Sequence, residues 1–219
     1  MSVKTETSPP ETVADLLERL GDVPAFRVRL DPPLGTATER DVVEAHDREN
    51  RLFELVDGVL VEKTMGFEES RYAILLASYL IAFLRDTDLG VVLGADGTVK
   101  LLPGLVRIPD VSFISWGRYP KGLRPGEIPA VAPDLAVEIL SKSNTRKEMA
   151  RKLDEYFQAG VRLVWYVDPK AREVRVYESP ADPVTLTAAD VLDGGAVLPG
   201  FRLPLAEWFD QAERTGPAV

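Results

Sequence analysis

The chain contains no cysteine and a single histidine, His46, in 219 residues. Those two gaps remove disulfides, thiolate zinc sites, iron–sulfur clusters, cysteine nucleophiles and histidine-rich metal centres. A Ser-His-Asp arrangement would have to use His46, which lies among Glu44, Asp47 and Glu49 and reads as a solvated side chain. Any metal must then be held by carboxylate oxygen, a donor set that suits magnesium or manganese. Positive charge is also short: the net charge is −9, which argues against a sequence-independent DNA coat but leaves room for a local basic groove. Long apolar runs are missing as well. The longest uncharged stretch, Tyr72 to Leu84, falls well short of the roughly 20 residues that span a bilayer. The opening residues, MSVKTETSPPET, carry no apolar signal core, so a soluble, cytoplasmic protein without membrane contact is expected. There is no glycine-rich phosphate loop and no internal repeat.

What is present is organised around residues 130–153. Leu135-Ala136-Val137-Glu138-Ile139-Leu140 is apolar on both faces and predicts a strand in the middle of a sheet. It carries one carboxylate, Glu138. A buried, unpaired carboxylate costs several kcal/mol or stays protonated, so a metal, lysine or arginine must meet it. A basic stretch follows, Lys142, Arg146, Lys147, Arg151 and Lys152, on a helix that ends at Gly160. Thr145-x-x-Glu148 has the form of a capping box there, and Met149, Leu153, Tyr156 and Phe157 make the apolar stripe.

Upstream, residues 1–10 read as disordered, Thr12 to Leu20 as a short helix and Val23 to Leu30 as an extended segment. Thr36 or Thr38 caps a helix to about Arg51. Leu52 to Val56 and Val59 to Lys63, joined by Asp57-Gly58, predict a hairpin. Alternation by itself makes Glu54 a solvent-facing position of its first strand. Glu69 to Arg85 predicts a long core helix. Strands follow at Val91 to Leu93, Val99 to Leu102 and Leu105 to Ser115, the last with Asp110 on the face of Ile108, Ser112 and Ile114. Trp116 to Pro133 is a Gly- and Pro-rich connection with Arg118, Lys121 and Arg124, suited to a lid or substrate clamp. Arg162 to Val167 and Glu173 to Glu178 form a second hairpin. Short strands at Val184 to Thr187 and Phe201 to Leu203 and a helix at Leu205 to Gln211 complete the chain.

Asp110 and Glu138 thus fall on core strands expected to be neighbours, and Lys152 on a helix able to lay its ammonium towards Glu138. Two carboxylates can hold a divalent cation, and a nearby lysine can orient water or neutralise phosphate oxygens. That set is sufficient for phosphodiester hydrolysis.

At these residues the sequence resembles a known family. Phe53-Glu54-Leu55-Val56-Asp57-Gly58, Ile108-Pro109-Asp110-Val111, Pro133 to Ser141, Lys152-Leu153-Asp154-Glu155-Tyr156, Ala159-Gly160-Val161 and Val164 to Pro169 resemble, in order, the Uma2-type (DUF820) restriction-endonuclease-like family of the PD-(D/E)XK nuclease superfamily. The resemblance covers roughly residues 35–180. It implies an α/β (α+β) fold with a mixed central sheet flanked by helices, and a magnesium- or manganese-dependent endonuclease acting on DNA. By the same resemblance Asp110 and Glu138 are the metal-binding acids, Lys152 replaces the lysine absent from position 140, and Glu54 is the early acid. The stretch departs from the family's usual Ser-Pro-Ser with Ser141-Lys142-Ser143. The implied organisation is an N-terminal extension over 1–34, a nuclease core over 35–180 and a C-terminal extension over 181–219 packing on it. A homodimer would help such an enzyme cut both strands, and the Tyr72–Phe83 helix and Trp208-Phe209 offer apolar surface for one or for the core. Two other readings stay open: a non-catalytic module binding nucleic acid or a protein partner, and a purely structural pair of Glu138 with Lys152 or Arg151.

Overall fold

The computed structural model describes residues 10–216 apart from 123 and 125, so the disorder expected of residues 1–10 falls almost wholly outside it. Among the described residues two large sheets, a two-stranded hairpin sheet and five α-helices make four layers. The six-stranded sheet has the order β10-β9-β8-β7-β6-β3. Its strands are β3 (Gly90–Leu93), β6 (Val111–Ser115), β7 (Leu135–Ile139), β8 (Leu163–Asp168), β9 (Glu173–Tyr177) and β10 (Val184–Thr187). Only β7 and β8 run parallel, Glu138 opposite Tyr166, with helix α4 (Arg146–Gln158) as their crossover. The four-stranded sheet is antiparallel, in the order β2-β1-β5-β4, from β1 (Phe53–Val56), β2 (Val59–Glu62), β4 (Val99–Leu102) and β5 (Leu105–Arg107).

Helix α3 (Phe67–Thr87), the C-terminal hairpin β11 (Val191–Asp193) and β12 (Arg202–Pro204), and α5 (Leu205–Glu213) cover one face of the larger sheet. On its other face α4 and the inner face of the smaller sheet share a second core, which α1 (Val13–Arg19) closes. Helix α2 (Glu39–Glu49) seals the outer face of the smaller sheet.

Local chemistry sets these boundaries. Thr12 with Asp15 and Thr38 with Asp41 form capping boxes for α1 and α2. Thr36 is left outside the helix, its hydroxyl donating to the Pro33 carbonyl at 2.6 Å. Asp57 and Gly58 take φ of 51° and 69°, the left-handed pair that a two-residue hairpin turn requires. A Cβ on Gly58 would also stand 2.4 Å from the Gly35 carbonyl oxygen.

Four expectations are corrected. Val23 to Leu30 is not extended throughout: Ala25–Arg27 is a 3₁₀ turn that drives Arg27 inward, and only Val28 bridges to Val61. Leu105 to Ser115 is two strands in two sheets, because Pro109 has no N–H for a ladder. Ile108-Pro109-Asp110 therefore crosses between the sheets, and Asp110 stands just ahead of β6 instead of within a continuous strand. Glu148 does not complete a capping box: Thr145 accepts from its backbone N–H, but its carboxylate pairs with buried Arg27 at 3.0 Å. Trp208 and Phe209 are fully buried against Tyr72, so they belong to the core and offer no dimer surface. In the 116–133 connection Arg118 is anchored, bonding the Gly160 carbonyl at 2.8 Å and Asp134 at 3.1 Å. Among the described residues no helix is long and apolar enough to cross a membrane.

Candidate active site

Strand β7 divides its side chains between two environments. Leu135, Val137 and Ile139 enter the apolar core under α3, whereas Ala136 belongs to the core on the α4 side, the side on which Glu138 meets α4's Lys152 and Tyr156. Asp110 reaches the same end of the strand because its backbone N–H donates to the Val137 carbonyl at 3.0 Å and its Oδ2 accepts from Ile139 N–H at 2.6 Å. On α4, Lys152 and Tyr156 are four residues apart and so share a face. Lys152 Nζ lies 3.2 Å from Glu138 Oε1, and the Tyr156 hydroxyl donates to that same oxygen at 2.5 Å.

Glu54 closes the group from the smaller sheet. Contrary to the solvent-facing reading, it is completely buried, because both faces of β1 are covered. Its Oε1 accepts from Lys152 Nζ at 3.0 Å and from Ile108 N–H at 3.2 Å, and its Oε2 from Arg107 at 2.7 Å. Arg107 in turn bonds Glu155, which Arg151 holds at 2.7 Å. The structure therefore brings all four predicted residues, Asp110, Glu138, Lys152 and Glu54, into one buried cluster.

Three members were not anticipated. Lys63 Nζ, at the end of the first hairpin, stands 2.6 Å from Asp110 Oδ1 and 3.5 Å from Glu138 Oε2. Arg107 fixes Glu54, and Tyr156, read as part of an apolar stripe, fixes Glu138. The signals were weak but present: Arg107 interrupts the apolar run Val106-Arg107-Ile108, and Tyr156 follows Lys152 by one helical turn.

Glu54, Asp110, Glu138 and Glu155 are met by Lys63, Lys152, Arg107 and, at the edge of the network, Arg151. Burial and these neighbours together set their titration. Burial pushes Glu54 up, but Lys152 and Arg107 pull it back further, well below the usual carboxylate range. Glu138 likewise ends below its ordinary value, burial being outweighed by Lys152 and Lys63. Asp110 moves the other way: burial, aided by Glu138, outweighs Lys63. Lys63 is pulled above the ordinary lysine value by Asp110 and Glu138 despite burial, and Tyr156 is raised by burial and by Glu138.

Asp110 and Glu138 already converge on one cationic atom, the Lys63 ammonium, using one oxygen each. Hard oxygen donors aimed at a shared cation position suit magnesium or manganese. Among the described residues no three acid or histidine side chains come together to hold a metal, and Glu54 is engaged by Lys152 and Arg107. Water would have to complete the coordination of any ion held here. The cluster lies at the carboxyl end of β7. Thr64 and Leu140 beside it line a cavity of about 580 Å³, and a hydrogen bond of 3.2 Å joins Thr64 to Ser143 near its rim.

The comparisons with known proteins bear on the fold and the family. The fold is similar to the crystal structure of a putative nuclease belonging to DUF820 from Anabaena variabilis ATCC 29413. That likeness has a TM-score of 0.65 at 19% identity and covers 74% of this chain and 91% of that one. No curated protein matches. The Uma2 family model, described as "Putative restriction endonuclease", matches residues 41–206, a span holding every member of the acid–base cluster. A mixed sheet, the motif order and a match over most of the length place this chain in the Uma2 family.

Proposed function

We propose that the protein is a metal-dependent endonuclease that hydrolyses DNA phosphodiester bonds, with magnesium or manganese held by Asp110 and Glu138. One observation carries the reading: two buried carboxylates from adjoining elements aim at a single cation position. Membership of a family whose model is described as "Putative restriction endonuclease" supports it. When bound, the ion makes coordinated water more acidic and neutralises charge building on the phosphate. Lys152 uses two of its three N–H groups on Glu54 and Glu138, leaving one for the attacking water or a phosphate oxygen. Glu54 and Arg107 hold Lys152 in place and are positioning residues; Tyr156 fixes the Glu138 carboxylate.

We assign catalysis to a core over residues 35–180 acting in the cytoplasm, with 1–34 and 181–219 as extensions. Arg27 against Glu148 and Trp208 against Tyr72 support treating both extensions as docked. The alternative is a nuclease-fold module that binds nucleic acid without cutting it. The specific observation in its favour is that Lys63 already neutralises the acid pair.

The test is nicking of supercoiled plasmid by wild type, Asp110→Asn and Glu138→Gln with magnesium, manganese or EDTA. The nuclease reading expects metal-dependent nicking by the wild type and none by either variant. Binding of DNA with no cleavage under any metal supports the module.

A further inference from the structure

The geometry points to a nucleic-acid phosphate track beside the acid cluster, in the cleft at the carboxyl ends of β7 and β8. This inference rests on the nuclease reading for its biological meaning but not for its test. The cleft has a volume of about 690 Å³, and Arg146, Lys170 and Arg175 line it. Lys142 lines the adjoining cavity, which shares Leu140, Ser141 and Lys170 with the cleft. Three features single this surface out.

First, its cations are unengaged and gathered in one cleft, whereas Arg85, Lys121 and Arg214, also without an ion-pair partner among the described residues, line neither cavity. Arg29, Arg40, Arg48, Arg51, Lys100, Lys147, Arg162, Arg172 and Arg202 each stand within ion-pair distance of a carboxylate. Among the described residues Lys142, Arg146, Lys170 and Arg175 have no such partner, on a protein whose net charge is −9. The one acid lining the cleft, Asp168, already accepts backbone N–H bonds from Lys170 and Ala171 at 3.0 and 3.1 Å. The adjoining cavity carries Glu68 and Glu69 on its α3 wall, so the excess of positive charge is confined to the cleft.

Second, the place is right. Parallel strands joined by a helix present ligand sites outside their carboxyl ends, and β7–β8 is the one parallel pair among the described strands. Arg146 opens α4, whose cap Thr145 faces the same cleft. Third, the cleft begins at Leu140, two residues beyond Glu138, so it opens next to the end of the strand that carries this acid. Guanidinium and ammonium groups without partners, spaced along a cleft, match the repeating negative charge of a phosphodiester chain.

The experiment measures binding of a fluorescent DNA duplex at several salt concentrations, with calcium replacing magnesium. Wild type is compared with the triple variant Arg146→Ala/Lys170→Ala/Arg175→Ala and a charge-matched control, Arg85→Ala/Lys121→Ala/Arg214→Ala, whose residues are exposed and line neither cavity. Each lost phosphate contact removes about 0.9 from the slope of log affinity against log salt. The cleft variant should therefore lose about 2.7 in slope and at least tenfold in affinity, with the control near wild type. Equal losses in the two triple variants, an unchanged cleft variant, or no wild-type binding would each overturn the track. Wild-type binding that depends on the cleft residues, with no plasmid nicking in magnesium or manganese, would overturn the nuclease reading and leave the track standing. Cleavage with binding insensitive to the cleft residues would do the reverse.

Discussion

The two faces of the six-stranded sheet differ in what they bury beside their apolar cores. Under α3 and α5, Leu135, Val137, Trp165, Phe201, Trp208 and Phe209 form an apolar core with stacked and edge-on ring contacts. Under α4, the same strands meet Glu138, Asp110 and Lys152, with Glu54 and Arg107 arriving from the second sheet. Stability needs only the apolar packing. Replacing buried ion networks with packed hydrophobic groups is often neutral or stabilising, so charge kept inside a core calls for a reason other than folding. On the proposed reading that reason is a position for a cation between Asp110 and Glu138.

Substitutions that cost similar stability on the two faces separate the roles. Lys152→Met leaves Glu54 and Glu138 without their shared cation. It should destabilise by about 3–5 kcal/mol and abolish cleavage even where the variant is folded, as urea melts with parallel nicking assays would show. Trp208→Ala empties part of the opposite core and should also destabilise by about 3–5 kcal/mol, yet cleavage per folded molecule should stay at the wild-type level. If Trp208→Ala also abolished cleavage, the two faces would not be functionally distinct.

A smaller effect sharpens the account of the charged face. On the proposed reading a divalent ion would take the position of the Lys63 ammonium, so the two would compete. Lys63→Met should tighten manganese binding several-fold by calorimetry. Unchanged or weaker binding would mean that Lys63 supports the ion instead of standing in for it.

The smallest effect is in pH dependence. Glu54 is depressed in the folded protein, so its contribution to stability is complete above the ordinary glutamate pKa of about 4.3 and is lost as pH falls towards its folded value. Wild-type melting temperature should therefore drop more steeply from pH 5 to pH 2.5 than that of Glu54→Gln. Parallel curves would remove Glu54 from the electrostatic core.

How legible each part was follows from the same contrast. The strand around Glu138, the Asp-Gly hairpin, the helices and the second hairpin could all be read, because hydrophobic period and turn chemistry act locally. Asp110, Glu138 and Lys152 were legible through buried context and the family resemblance. Glu54 misled alternation because β1 is sandwiched between layers, so its inward face is buried too. Lys63 was illegible: a lysine at a strand end normally faces water, and only the crossing of Ile108-Pro109-Asp110 between sheets brings the carboxylate to it. That crossing was hidden because Pro109 sits inside a run that otherwise alternates like one strand.

The most direct test of the cation position is the melting temperature of wild type and Glu138→Gln with and without millimolar manganese. Ligand that binds only the folded state raises stability by mass action. The account predicts a clear rise for wild type and none for Glu138→Gln. An equal rise in both proteins, or none in wild type, would contradict it.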